Sequence, residues 1–258
     1  MGKSLTFKSL VNVIKKIIKK NNNNSDTLYL ASQSQSRQKL LKETKISFKI
    51  IKHKSDENIL QGDLTFSQYV IKIANHKMSH VILPDAQKYF RDTKKNYIYV
   101  CTADTLVKNI KTNKILGKPK DKQEAKKILK CVSSGPVEVM TGCCVKKFIL
   151  SLKCKSTGRR PVDLHTSVSC KDDLDNKVWV CSQTISWATG AIAQFSVPQN
   201  FLKEYFEFTP GALYASGASV IEGYAQKFLK YINGSYSAVI GLPVWELVKN
   251  LEKIGFKF

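Results

Sequence analysis

Three serines and an arginine follow a short apolar run in Ala31-Ser32-Gln33-Ser34-Gln35-Ser36-Arg37. A turn of that composition feeding a helix N-terminus offers backbone N–H groups, hydroxyls and a guanidinium, a set that can cradle phosphate. The same residues would also serve as an ordinary Ser-capped helix start with a surface Arg. Asp104 follows a second apolar run, Tyr97-Ile98-Tyr99-Val100-Cys101, and Glu57 stands in Ser55-Asp56-Glu57. Two carboxylates plus substrate phosphates make a typical Mg²⁺ site, because that ion keeps several waters and takes few protein ligands; Asp104 alone could equally cap a turn. Lys77 and Lys118 could neutralise phosphate charge, although in a Lys-rich chain neither stands out by itself.

Other chemistries lack their residues. No Walker A exists, because Gly2-Lys3-Ser4 has no upstream glycine at the required spacing and Gly117-Lys118 runs into Pro119. Seven cysteines, an odd number without a C-x-x-C pair, and four scattered histidines exclude a disulfide framework and a zinc centre as expectations. With no secretory leader and no apolar run near the roughly 18 residues that span a bilayer, a reducing cytoplasm is expected. The formal charge of +22 predicts anionic partners. Only Arg37, Arg91, Arg159 and Arg160 carry the guanidinium fork that reads bases, so nucleic acid is not an expected partner.

Hydrophobic and charged fractions of 43% and 24% fit a globular chain with a real core. Residues 1–26 stand apart. Phe7, Leu10, Val11, Ile14, Ile17 and Ile18 recur at helical spacing among lysines, and Asn21 to Asn24 form a polar spacer. Such a basic amphipathic extension gives weak association with anionic membranes, or packs its stripe on the domain that follows. From Thr27, strands are predicted at Leu28 to Ala31, Ile46 to Ile51, Tyr97 to Cys101, Val137 to Leu150 and, with breaks, Val178 to Phe195. Helices are predicted near Gln38 to Glu43, Phe66 to Leu83 with Thr65 as N-cap, Lys122 to Cys131, Pro198 to Phe206, Gly223 to Tyr231 and Val244 to Ile254. Pro84 to Asn96 is expected to be an exposed loop, and 153–176 a polar insertion. Alternating strands and helices argue for a mixed α/β fold. Ligands in such folds collect beyond the carboxyl ends of strands, where the Ser32 turn and Asp104 are expected.

From Leu28 to Phe256 the chain resembles the Maf, or septum-formation-like, nucleotide pyrophosphatases. The matching pieces are Leu30-Ala31-Ser32-x-Ser34-x-x-Arg37 with Leu40-Leu41, Asp56-Glu57, Ala74-x-x-Lys77, Ala103-Asp104-Thr105 and Leu116-Gly117-Lys118-Pro119. Further on come Val139-x-Thr141-Gly142, Gly217-Ala218, Glu222-Gly223 and Gly234-Ser235-Tyr236-Ser237 leading to Val239-x-Gly241-Leu242-Pro243. The resemblance implies a mixed central sheet with flanking helices, in an elongated two-lobed single domain over 27–258. It also implies cleavage of nucleoside triphosphates between the α and β phosphorus, with a divalent cation, Mg or Mn. By motif, Asp104 corresponds to the catalytic base and a metal ligand, and Glu57 to the second acidic ligand. Arg37, Lys77 and Lys118 correspond to the phosphate-facing cations, above a loop lined by Ser32 and Ser34. An alternative keeps the fold without turnover, as a nucleotide sensor in division or stress control. A homodimer is compatible with either.

Some positions depart from the pattern. Gln35 stands where the family usually has Pro, and Ser219 where an aromatic commonly follows the Gly-Ala pair. Ser36, Thr105 and Glu222 occupy the three positions that vary between branches. Thr105 looks like the branch acting on thymidine and uridine triphosphates, Glu222 like the branch acting on 7-methylguanosine triphosphate. Taken alone, a carboxylate at Glu222 suits guanine, with its N1–H and N2–H₂ donors, better than uracil or thymine with one imino donor between two carbonyls. On that ground the expectation leans towards a modified guanine.

Overall fold

The computed structural model describes residues 25–55, 59–152 and 177–258. Most of the N-terminal extension, Glu57 and the 153–176 insertion lie outside the described residues. Within them, strands β1 (Leu28–Leu30), β2 (Phe48–Ile50), β3 (Tyr97–Asn109), β4 (Ile115–Leu116), β5 (Val137–Leu152), β6 (Lys177–Phe195) and β7 (Leu229–Gly234) form one sheet. Its order is β2-β1-β3-β5-β6-β7, with β4 paired to β3. The β1 strand runs parallel to β2 and β3, and the remaining pairs are antiparallel. The helices are α1 (Gln35–Glu43), α2 (Phe66–Ser79), α3 (Ala86–Thr93), α4 (Lys122–Val132), α5 (Leu202–Phe208), α6 (Tyr236–Ile240) and α7 (Val244–Lys253).

This is the expected mixed α/β architecture, with three local differences. The stretch read as a loop before β3 contains α3, which Asp85 caps by accepting from Lys88 N at 2.7 Å, and which Lys94 ends in the left-handed region. Its polarity hides it, because only Ala86 is buried. Residues 223–231 form a 3₁₀ turn and the start of β7 in place of a helix. And β3 does not stop at Cys101: β5 pairs with it without interruption from Tyr97↔Ile149 to Asn109↔Val137. Asp104 therefore sits in mid-strand.

That longer strand creates the feature on which the site is built. On its other edge, β1 accompanies β3 only as far as Cys101, with Ala31 N donating to Cys101 O at 2.8 Å. The two-residue β4 picks up that edge at Val107. Between them, Thr102 to Leu106 have a neighbouring strand on one side only. Side chains alternate across the sheet. Ile98 and Val100 pack with Ala74 and Met78 of α2 on one face, while Tyr99, Cys101 and Ala103 pack with Leu40 and Leu41 of α1 and Leu247 and Leu251 of α7 on the other. Beyond the gap a separate core, including Val107, Leu116, Leu129 and Tyr205, forms the second lobe.

Helix α2 begins with a reciprocal cap. Thr65 Oγ1 accepts from Gln68 N at 3.3 Å and Gln68 Oε1 accepts from Thr65 N at 3.0 Å. Its buried stripe is Phe66, Val70, Ile73, Ala74, Lys77 and Met78, so one ammonium lies on the core-facing side. The helix reaches the sheet closely because Gly142 lies beneath it: a Cβ built there would stand 2.2 Å from Val70 O. Gly142 is the cross-strand partner of Asp104, so the same glycine that admits the helix brings it over the carboxylate. We expect Gly142→Ala to displace α2, at an overpacking cost of about 1–3 kcal/mol. The melting temperature should fall by roughly 2–4 °C per kcal/mol, with a loss of turnover out of proportion to that fall. Calorimetry alongside an activity assay checks this; unchanged melting would show that the helix accommodates the methyl freely.

Candidate active site

Asp104 and Thr105 occupy adjacent positions on the uncovered edge and point to opposite faces. On the α2 face, Lys77 Nζ donates to Asp104 Oδ1, and the two side chains are only 8% and 13% exposed. Two turns earlier on α2, Tyr69 donates to Ile59 O at 2.8 Å, and its hydroxyl is pushed above its ordinary pKa by burial and then by the charge of Asp104. Thr102 donates to Ala74 O at 2.8 Å, which ties the middle of the helix to the same strand.

On the other face, Arg37 lies on the buried stripe of α1 with Leu40 and Leu41. Its Nε donates to Gly241 O at 2.7 Å, Nη1 to Ser32 Oγ at 3.0 Å and Nη2 to Thr105 Oγ1 at 3.1 Å. Thr105 and Thr141 hydroxyls are 2.8 Å apart, and Thr141 donates to Ala238 O at 2.7 Å. Because Thr141 spends its one proton on that carbonyl, Thr105 must donate to Thr141. The bonds thus run in one direction, Arg37 to Thr105 to Thr141 to α6, an arrangement in which each link polarises the next. Arg37 has five N–H protons, so these three bonds leave two that can face an anion.

The expected site residues are distributed as follows. Ser34 caps α1, accepting from Arg37 N at 3.5 Å, and Ser32 Oγ also accepts from Ser34 N at 3.3 Å, so its own proton is unused in these bonds. Ser36 lies half-buried in the first turn of α1. Lys118 is exposed on the loop leaving β4, next to Gly117, whose carbonyl accepts from Gly217 N at 3.0 Å. That bond, and Ser216 Oγ donating to Thr105 O at 2.6 Å, fasten the 216–222 segment over the far end of the gap. At its end Glu222 Oε1 accepts from Lys39 Nζ at 2.7 Å. Lys39, Tyr69, Thr141 and Ser216 were not singled out from sequence; Thr141 was within a matched motif, whereas the Lys39 partner is 183 positions away in the chain.

The arrangement suits phosphoanhydride hydrolysis. One carboxylate lies at the centre, with a cation on each face of the strand, beside a turn and helix N-terminus. Burial pushes the Cys101 thiol up to about 12 and the Cys143 thiol well above its ordinary value, so both are packed as core side chains. Among the described residues no cluster of three or more acidic, His or Cys side chains could hold a metal by itself. The donor set fits a cation shared between the Asp104 carboxylate and substrate phosphates.

A family model described as Maf-like protein matches residues 27–254, and the chain belongs to that family. Among curated relatives, one from Colwellia psychrerythraea named dTTP/UTP pyrophosphatase is 29% identical over 90% of each chain. One of the same name from Clostridium botulinum (strain Okra) is 31% identical over 88% of this chain and 97% of the relative. A third, from Fusobacterium nucleatum and again so named, is 28% identical over 89% of this chain and 96% of its own length.

The hydrogen-bond chain gives Thr105 a task on the Arg37 side of the strand. We expect Thr105→Val to leave Arg37 one acceptor short at a cost of about 1–3 kcal/mol, raising KM for every triphosphate alike. A change confined to one base would instead make Thr105 a base contact.

Proposed function

We propose that this chain hydrolyses dTTP and UTP to the monophosphate and pyrophosphate. The observation that carries the reading is the uncovered edge of β3, where Asp104 is flanked by Lys77 on one face and the Arg37 guanidinium on the other. The Maf-like family membership supports it, and so do the names of the relatives, all of which give dTTP/UTP pyrophosphatase.

In this reading the triphosphate lies along the gap. The two unused N–H protons of Arg37, the Ser32 hydroxyl and the α1 N-terminus receive phosphate oxygens, and Lys118 reaches them from the β4 exit loop. Asp104 orients water and accepts its proton, the role for which a carboxylate must stand within hydrogen-bond reach of the nucleophile. Lys77 can pass from Asp104 to a phosphate oxygen when substrate enters, because its flexible stem carries three rotatable donors and the phosphate re-pairs the charge that leaves the carboxylate. Mg²⁺ or Mn²⁺, held by Asp104 with Glu57, would neutralise the phosphate charge when bound.

The test is a panel of dTTP, UTP, GTP and 7-methylguanosine triphosphate, with Mg²⁺, Mn²⁺ or a chelator, scored separately for pyrophosphate and orthophosphate. Pyrophosphate from dTTP and UTP is expected. Asp104→Asn should lower the rate by about 10²-fold or more, the range for a lost general base. Orthophosphate as the sole product, or an Asp104→Asn variant within threefold of the parent, would overturn the assignment.

A further inference from the structure

A bare carboxylate at Glu222 would favour guanine, yet Glu222 is not bare. Lys39 Nζ donates to its Oε1 at 2.7 Å. The hydrogen bond it donates to Glu222, and then the charge of that carboxylate, raise the pKa of Lys39, so it stays an ammonium throughout the physiological range. Both residues are placed by the site itself. Lys39 follows Arg37 by two positions on α1, and Glu222 closes the segment that Ser216 fastens to Thr105 O. Val220 N donates to Tyr205 OH at 2.9 Å, and the left-handed Gly223, φ 60°, turns the chain away immediately after Glu222. The pair joins α1 to the end of the segment that Ser216 fastens over the far end of the gap. Tyr236, 52% exposed at the start of α6, lies within electrostatic reach of Lys39. A triphosphate bound at Asp104 and Arg37 has its base to place in this neighbourhood.

The chemistry of the pair differs from that of either residue. An ammonium has three donors and a carboxylate only acceptors. With one N–H given to Oε1, Lys39 can still donate to a carbonyl, while Glu222 Oε2 can accept from an imino N–H. Uracil and thymine present such an edge, a carbonyl oxygen next to N3–H, and a side-chain amide would satisfy it in the same way. Guanine presents N1–H and N2–H₂ side by side, the register a bare carboxylate takes best; there its second donor would face the ammonium, so guanine keeps only its O6 and N1–H edge, which is the same as the pyrimidine one, and loses its advantage. We propose that Lys39 and Glu222 act together as a single base-reading group of amide-like character that admits uracil and thymine where a bare carboxylate would favour guanine. The proposal rests on the triphosphate-hydrolase reading above and extends it to a residue, Lys39, that decides which base is accepted.

The experiment compares kcat/KM for UTP, dTTP, GTP and 7-methylguanosine triphosphate in the full-length chain and in Lys39→Met, Lys39→Arg, Glu222→Gln and the double Lys39→Met/Glu222→Gln variant. Dissociation constants for the non-hydrolysable α,β-imido analogues of dTTP and GTP are measured in parallel. Lys39→Met should lower the pyrimidine-to-guanine ratio by about tenfold or more, as expected for opposing an acceptor to an unpaired carbonyl. Lys39→Arg should keep the ratio, and so should Glu222→Gln. The double variant should restore it, because the new amide donates and accepts unaided, and a merely structural ion pair would give no such rescue. A ratio unmoved by Lys39→Met, or a double variant as impaired as the single one, overturns the proposal while leaving the hydrolase reading intact. If no triphosphate is turned over, yet Lys39→Met lowers the preference for the dTTP over the GTP analogue in dissociation constants by the same factor, the base-reading pair is supported and the hydrolase reading is overturned instead.

Discussion

The Lys77–Asp104 pair is the interaction around which the rest of the site is arranged. Both groups are nearly removed from solvent, and for a buried ion pair the loss of hydration can exceed the mutual attraction. The surrounding structure keeps them together regardless. The capping box at Thr65 fixes where α2 starts, Gly142 lets the helix lie on the sheet, and Thr102 holds Ala74 O. Each feature brings the ammonium to the carboxylate, and a hydrophobic pair at the two positions would fill the space without demanding any of them. A costly arrangement maintained by several independent contacts points to chemistry as its purpose.

The strand beneath sets the carboxylate at an edge with no neighbouring strand on one side. A β-strand paired on both edges would have its backbone covered; here β1 ends and β4 has not begun when Asp104 passes. The same interruption exposes Thr105 on the opposite face, where Arg37 is held by Gly241, Ser32 and Thr105 together. Two helices approaching from different faces thus deliver one cation each to a single strand edge. The second lobe contributes from the far end through Ser216 and Gly217, which bond to Thr105 O and Gly117 O.

Much of this was legible in the sequence, and what was not has physical reasons. Long helices and strands follow from periodicity, and the Thr65 cap and the Lys122 helix stand where the pattern places them. A cation within an apolar helical stripe, Lys77 between Ala74 and Met78 or Arg37 before Leu40 and Leu41, is a signal that sequence does carry. The extent of β3 is not such a signal, since it depends on the partner strand β5 continuing to Asn109. Helix α3 was lost because it buries almost nothing of its own. The pairing of Lys39 with Glu222 could not be read at all: both are ordinary surface charges in a strongly basic chain, and only the fold brings them together.

The most direct test of the central claim replaces the buried pair by an apolar one, Lys77→Met with Asp104→Leu, and measures melting temperature and pyrophosphate release together. If the pair is kept for chemistry, the double variant should melt at the same temperature or higher, as buried ion pairs replaced by hydrophobic residues commonly do, while turnover is abolished. A double variant that melts well below the parent, or one that still releases pyrophosphate within threefold of the parental rate, would contradict the account.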